Sequence, residues 1–178
     1  MQFQNYNFGA TTLNAPVTFG VTATSNGKAG TAGVRVGSEF TASLLYSLDG
    51  GANYSLLTAA QSGSATYPTP FAFGVGADGD AVNFSGYFFG NPVTIPGYSS
   101  GPVSFIVQAW TGGTSYAGAT QWSGQSGVFT MPSIATGTAP PSDFAGLTAF
   151  TVLPVPEPSI FALSGLGAAA LMLIRRKK

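Results

Sequence analysis

Over residues 39–47 the chain alternates strictly enough to fix its local conformation. Phe40, Ala42, Leu44 and Tyr46 fall on one side, and Glu39, Thr41, Ser43 and Ser47 on the other, with Leu45 as the exception. A period of two is the signature of a strand with one face on a core and the other toward water. Val17, Phe19, Val21 and Ala23 alternate with Thr18, Gly20 and Thr22 in the same way. Over 103–110 both faces are largely apolar: Val103, Phe105, Val107 and Ala109 on one, Ser104, Ile106, Gln108 and Trp110 on the other. That segment reads as a strand covered on both sides. Further strands are expected over 2–8, 54–58, 71–75, 86–89, 127–131 and 147–153. Before residue 158 no window carries a strong helical period.

The punctuation between these segments is turn chemistry. Asp49-Gly50-Gly51 separates two strand segments, and Asp-Gly supplies the positive φ of a tight hairpin. Asp78-Gly79-Asp80 reads as a second tip, and Asn91-Pro92 and Pro96-Gly97 mark others. Many short strands with regular turns imply an all-β fold, an antiparallel β-sandwich or jelly-roll-like domain over 1–153. Residues 132–146 are rich in Pro, Ser, Thr, Gly and Ala and read as an exposed loop before the last strand. With 14 Phe, 7 Tyr and 2 Trp, the chain has the apolar mass for one core and lacks the signature of disorder.

Composition excludes several chemistries. The chain contains neither Cys nor His. It therefore forms no disulfide, places no Cys or His on a metal, and assembles no Ser-His-Asp or Cys-His machinery from its own residues. Lys28 and Arg35 are the sole cations before residue 175, against six carboxylates, which leaves −4 over 1–174. Without a cationic footprint, nucleic-acid binding is set aside. Asp78 and Asp80 are the two carboxylates a Ca²⁺ site would use. Calcium wants about six to eight oxygen ligands, so a solvated hairpin tip is the preferred reading. A glycosidase needs two carboxylates facing one cleft. At least three of the domain's acids fall in turn or loop sequence, so no catalytic residue is assigned and no cofactor is expected. Trp110, Trp122 and Tyr116, with Tyr87 and Tyr54, are the aromatics that would stack on sugar rings if exposed; core or sheet-edge packing is the favoured alternative.

From Pro154 the sequence changes character. Val155-Pro156-Glu157-Pro158-Ser159 cannot sit inside a helix, since each Pro removes a donor and restrains its neighbour. Residues 159–174 then hold no charge. At 1.5 Å per residue they make roughly 24 Å of helix, short for a hydrocarbon core of about 30 Å but workable where flanking cations snorkel. Arg175, Arg176, Lys177 and Lys178 follow at once. The reading is one C-terminal transmembrane helix over 159–174 and a basic tail over 175–178. By the positive-inside rule the tail stays cytoplasmic and the β domain lies across the membrane.

These residues, 155–178, resemble the PEP-CTERM sorting signal of exported proteins from exopolysaccharide-producing Gram-negative bacteria. The motif at 155–159, the apolar helix and the basic end occur in order. The resemblance implies recognition through Pro156, Glu157 and Pro158 by exosortase, a membrane-embedded thiol transpeptidase. It also implies a lipid bilayer around 159–174. Arg175 and Arg176 match the basic end, while Lys177 and Lys178 stand where many members have Arg. The body resembles, more loosely, the β-rich proteins that carry this tail in Verrucomicrobia-like genomes, through the segments at 40–49 and 105–110.

The resulting expectation is a non-enzymatic exported protein of the cell envelope, surface or extracellular matrix, anchored in the inner membrane before processing and associated with exopolysaccharide. Two alternatives stand beside it: a lectin-like carbohydrate-binding module using exposed aromatics, and a permanently membrane-anchored surface protein. Export needs an N-terminal signal, and residues 1–20 have neither a cationic start nor an apolar run of signal length. The sequence is therefore expected to begin downstream of its true N-terminus.

Overall fold

The computed structural model describes residues 1–7, 13–58, 69–70, 84–136 and 142–156. Among these residues the fold is all-β, with twelve strands and no helix. The strands are β1 (Gln2–Gln4), β2 (Val17–Phe19), β3 (Ala23–Ser25), β4 (Lys28–Gly30), β5 (Thr41–Ser47), β6 (Ser55–Leu56), β7 (Thr69–Pro70), β8 (Phe89–Pro92), β9 (Val103–Thr111), β10 (Trp122–Gln125), β11 (Phe129–Met131) and β12 (Phe150–Pro154).

The frame is the long pair β5–β9, antiparallel from Thr41↔Trp110 to Ser47↔Ser104. The segment with the clearest alternation and the one that is apolar on both faces thus become neighbours at the middle of the main sheet, whose order is β2-β12-β10-β9-β5-β6. β10 and β11 both pair with β9, interrupted at 126–128. Ser126 bridges the interruption: its Oγ accepts from the Val107 amide at 3.0 Å while its own amide donates to Val107 O at 2.8 Å. β6 and β7 pair with opposite ends of β5. β1 pairs with β8, and β3 with β4, as separate ribbons.

Strand β9 is covered on both faces, as its composition implies: every residue except Gln108 is buried. Phe105, Val107 and Ala109 join Phe3, Phe19, Phe40, Leu44, Phe88 and Phe144 in the core. Phe144 stacks within 5.4–5.8 Å of Phe3, Phe105 and Phe129, ring centre to ring centre. The loop expected over 132–146 is exposed at Pro132, Ser133, Thr136, Ala145 and Gly146 but not throughout. Its described ends turn inward, with Ile134 and Phe144 buried, because two large apolar side chains in a polar stretch gain more from the core than from water.

Two further differences have physical causes. The sheet is mixed, since β12 runs parallel to β2. Antiparallel neighbours arise readily from hairpins, but β2 and β12 lie at opposite ends of the domain sequence, so no turn dictates their direction. The single strand expected over 17–23 is broken into β2 and β3 at Gly20–Val21. Beyond the break, Asn26 (φ 44°) and Gly27 (φ 80°) turn the chain into β4. Consecutive positive φ values are the geometry of a type I′ hairpin, for which Asn-Gly is the preferred pair. The expected strand at 71–75 lies outside the described residues.

Candidate functional site: the carboxyl-terminal junction

Strand β12 is where the β domain hands the chain to the C-terminal segment. It is an interior strand. On one side Phe150, Thr151 and Val152 pair with Val17, Thr18 and Phe19; on the other, Leu153 and Pro154 pair with Ser123 and Trp122. Alternation sets its faces: Phe150 and Val152 point into the core, while Thr151 and Leu153 point out. Pro154 sits at the strand's last position, where a missing donor costs the ladder least.

The hold on the chain continues one residue past the strand. The Val155 amide donates to Gln121 O at 2.8 Å, and Val155 O accepts from Ser25 Oγ at 3.2 Å. The Gly20 amide donates to Val152 O at 2.9 Å. Close approach of β10 to β12 depends on Gly124, where a Cβ would lie 2.2 Å from Thr151 O. The β3–β4 hairpin closes over this corner. Gly30 leaves room for Phe19 and Trp122, whose rings stand 4.8 Å apart edge to face, and the Trp122 indole donates to Lys28 O at 3.0 Å. Lys28 in turn forms an ion pair with Glu39.

Pro156 is the last described residue. Glu157, Pro158, the apolar stretch 159–174 and Arg175, Arg176, Lys177 and Lys178 lie outside the described residues. Among the described residues, no helix is long and apolar enough to cross a membrane.

The aromatics that the sequence offers for stacking fall on different faces of the main sheet. Trp122 is 0 % exposed and packs in the core. Trp110 is 2 % exposed and lies on the opposite face of β9, its indole donating to Gly113 O at 3.3 Å and its ring 6.3 Å from Tyr116. The loop after β9 folds over that face and covers most of the Trp110 ring. A groove of about 260 Å³ remains there, lined by Trp110 and Tyr116 with Ser43, Leu45, Leu56 and Gln108 among others. Tyr87 is also buried, its hydroxyl donating to Asn14 Oδ1 at 2.7 Å.

The described carboxylates are each engaged locally. Asp49 lies in the β5–β6 hairpin, where its side chain accepts from the Ser47 hydroxyl, from Asn53 Nδ2 at 2.8 Å and from the Asn53 amide at 3.0 Å. Those donors, the Ser47 hydroxyl first, hold its carboxyl well below the usual carboxylate range. Asp143 accepts from Gln4 Nε2 at 3.0 Å and from Asn7. Among the described residues no three Asp or Glu side chains cluster as a metal site would require. Asp78 and Asp80 lie outside the described residues.

The all-β domain thus holds the chain up to Val155, immediately before the Pro-Glu-Pro of a C-terminal signal. That signal is the PEP-CTERM protein-sorting motif, whose family model matches residues 154–177. The match begins at the last residue of β12 and includes Pro156, Glu157 and Pro158. The motif is a substrate signal for exosortase and marks a chain for export and sorting to the envelope. No curated protein and no solved structure matches the chain.

Proposed function

We propose that this chain is a non-enzymatic, exported envelope or extracellular-matrix protein. Its β-sandwich-like domain is carried to the surface by the PEP-CTERM tail and associates there with exopolysaccharide. Before processing, 159–174 span the inner membrane as a helix, and Arg175 to Lys178 remain on the cytoplasmic side, following the charge rule. Exosortase recognises Pro156, Glu157 and Pro158 and removes the helix.

The observation that carries this reading is the placement of the junction. The last described hydrogen bond to the domain is at Val155, and the motif's Pro-Glu-Pro begins at the next residue. Cutting beyond that point leaves every described strand intact. The non-enzymatic part is supported by what occupies the described carboxylates: Glu39 pairs with Lys28, Asp49 caps its hairpin, and Asp143 accepts from Gln4 and Asn7. Each serves the fold.

The test is the intact mass of the protein isolated from its native host. A chain ending within or just after the Pro-Glu-Pro motif is expected, with Glu157→Ala accumulating at the unprocessed mass. A native chain that still ends at Lys178 would overturn processing and establish a permanent anchor. Polysaccharide association is tested separately, by co-sedimentation of the purified domain with the host's exopolysaccharide; a domain that stays in the supernatant would overturn it.

A further inference from the structure

We propose that, in the unprocessed chain, the end of the domain at which β12 finishes lies against the bilayer surface, with Val21 and Leu153 at the headgroup layer. The inference rests on reading 159–174 as a membrane span and adds how the domain sits on it. Val155 is the last described residue bonded to the domain, and Pro156, Glu157 and Pro158 lie between it and Ser159. The four Cα-to-Cα steps from Val155 to Ser159 reach at most roughly 14 Å. The polar layer on each side of the hydrocarbon is about 5–8 Å thick. After crossing that layer the tether leaves the domain at most roughly 9 Å of clearance, close enough for an exposed apolar end to reach the headgroups.

Strand register decides which end faces the lipid. Pro154 pairs with Trp122, Trp122 with Thr111, and Trp110 with Thr41, so these residues share the exit end. Leu153 is 52 % exposed there. Val21, 39 % exposed, follows Gly20, whose amide bonds to Val152 O and whose site abuts the Leu153 side chain. The Asn26–Gly27 turn is tied to the same corner, since Gln121 Nε2 donates to Asn26 O at 3.1 Å. Charge at this corner is balanced by the Lys28–Glu39 pair. Leu48 and the ionised Asp49 follow Ser47 at the other end of β5, which is about 23 Å away at strand spacing. The lipid-facing end thus presents two exposed aliphatic side chains and a neutralised ion pair beside the exposed, uncharged loop 112–120, a surface suited to the headgroup boundary.

Because the chain contains no Cys, single-cysteine labelling has no background. The full chain would be reconstituted in phosphatidylcholine vesicles with an environment-sensitive fluorophore on Val21→Cys, Leu153→Cys or Leu48→Cys, and quenched by headgroup spin-labelled lipid. Labels at 21 and 153 should be quenched several-fold more than the label at 48. Inserting 15 Gly/Ser residues between Val155 and Pro156, a flexible reach of about 20 Å, should erase the difference. Equal quenching at all three positions in vesicle-bound chain would overturn the docking while leaving the span intact. A chain that fails to float with vesicles would overturn the span and the docking with it.

Discussion

Asn5 is the residue whose replacement tests the architecture most sharply. It is 0 % exposed and stitches three segments together with its side chain. Nδ2 donates to Ala15 O at 2.8 Å and to Gly86 O at 3.0 Å, while Oδ1 accepts from the Phe88 amide at 2.7 Å. Gly86 O also accepts from the Val17 amide at 2.9 Å, so it keeps a partner when Asn5 is lost. Asn5→Ala therefore removes its side-chain bonds from Ala15 O and the Phe88 amide, both inside the protein. Bonds lost inside the protein cost about 0.5–1.5 kcal/mol apiece, and the space left by the truncated amide adds to that, for a total of about 4 kcal/mol. That is a large fraction of the roughly 5–15 kcal/mol by which a domain is stable. With a urea slope of about 2 kcal/mol/M, the unfolding midpoint should fall by about 2 M. Trp110 and Trp122 are both buried, so their fluorescence follows the transition. Asn5→Asp keeps the acceptor but points a carboxylate oxygen at two carbonyls, and should be no more stable than Asn5→Ala. A midpoint shift below about 0.5 M for Asn5→Ala, at unchanged slope, would refute the reasoning: these groups would then not depend on the clamp.

Three other outcomes follow from the same geometry. The Asp49 carboxyl titrates lower in the folded chain than the unfolded value of about 3.9, so its stabilisation is present above that pH and disappears as pH falls through the folded value. Asp49→Ala should flatten this acid limb, and an Asp49 carboxyl that titrates near 4 by NMR would contradict it. Gly124→Ala forces a Cβ against the backbone of Thr151 and Val152, and should cost about 1–3 kcal/mol or more. Gly20→Ala mainly meets the exposed side chain of Leu153, which can swing aside, so its thermal midpoint should stay closer to that of the parent. A chain stopped after Pro156 should unfold at the same urea concentration as the full chain, whereas one stopped after Ala149, which lacks β12 altogether, should show no cooperative transition.

What the sequence revealed depended on how local the signal was. The alternation of β5 and β9 and the Asp49 hairpin were legible because each is written in consecutive residues. The C-terminal motif was legible for the same reason, as three short features in fixed order. The β3–β4 hairpin carried an equally local sign, Asn26-Gly27 with positive φ at both positions, yet its strands are only three residues each and lack apolar alternation. Reading Asn-Gly first would have found it. The place of Trp122 is not written locally, because β10 reads Trp-Ser-Gly-Gln, with a single large side chain. Gly124 was the missed clue there, since a strand glycine often marks close backbone approach. Asn5 and Phe144 had no local signal: their roles exist only once segments 81 or more residues apart for Asn5, and 141 apart for Phe144 and Phe3, converge.

The position of β12 links the fold to its sorting. A C-terminal strand added at a sheet edge would be the easiest element to lose when the tail is pulled or cut. Here the last strand is interior, flanked by β2 and β10, and its Phe150 and Val152 side chains are part of the core. Strain applied at Pro156 is therefore resisted by two ladders and by the Val155–Gln121 bond together. The parallel pairing with β2 adds a second consequence. The sheet cannot be completed until residues near both ends of the domain sequence are present, since β2 begins at Val17 and β12 ends at Pro154. Formation of the main sheet and emergence of the sorting motif are thus nearly the same event along the chain. In the proposed processing, a domain arranged this way meets the enzyme either fully paired or with β2 and β10 both exposed, and the first state is the one that would leave a stable product.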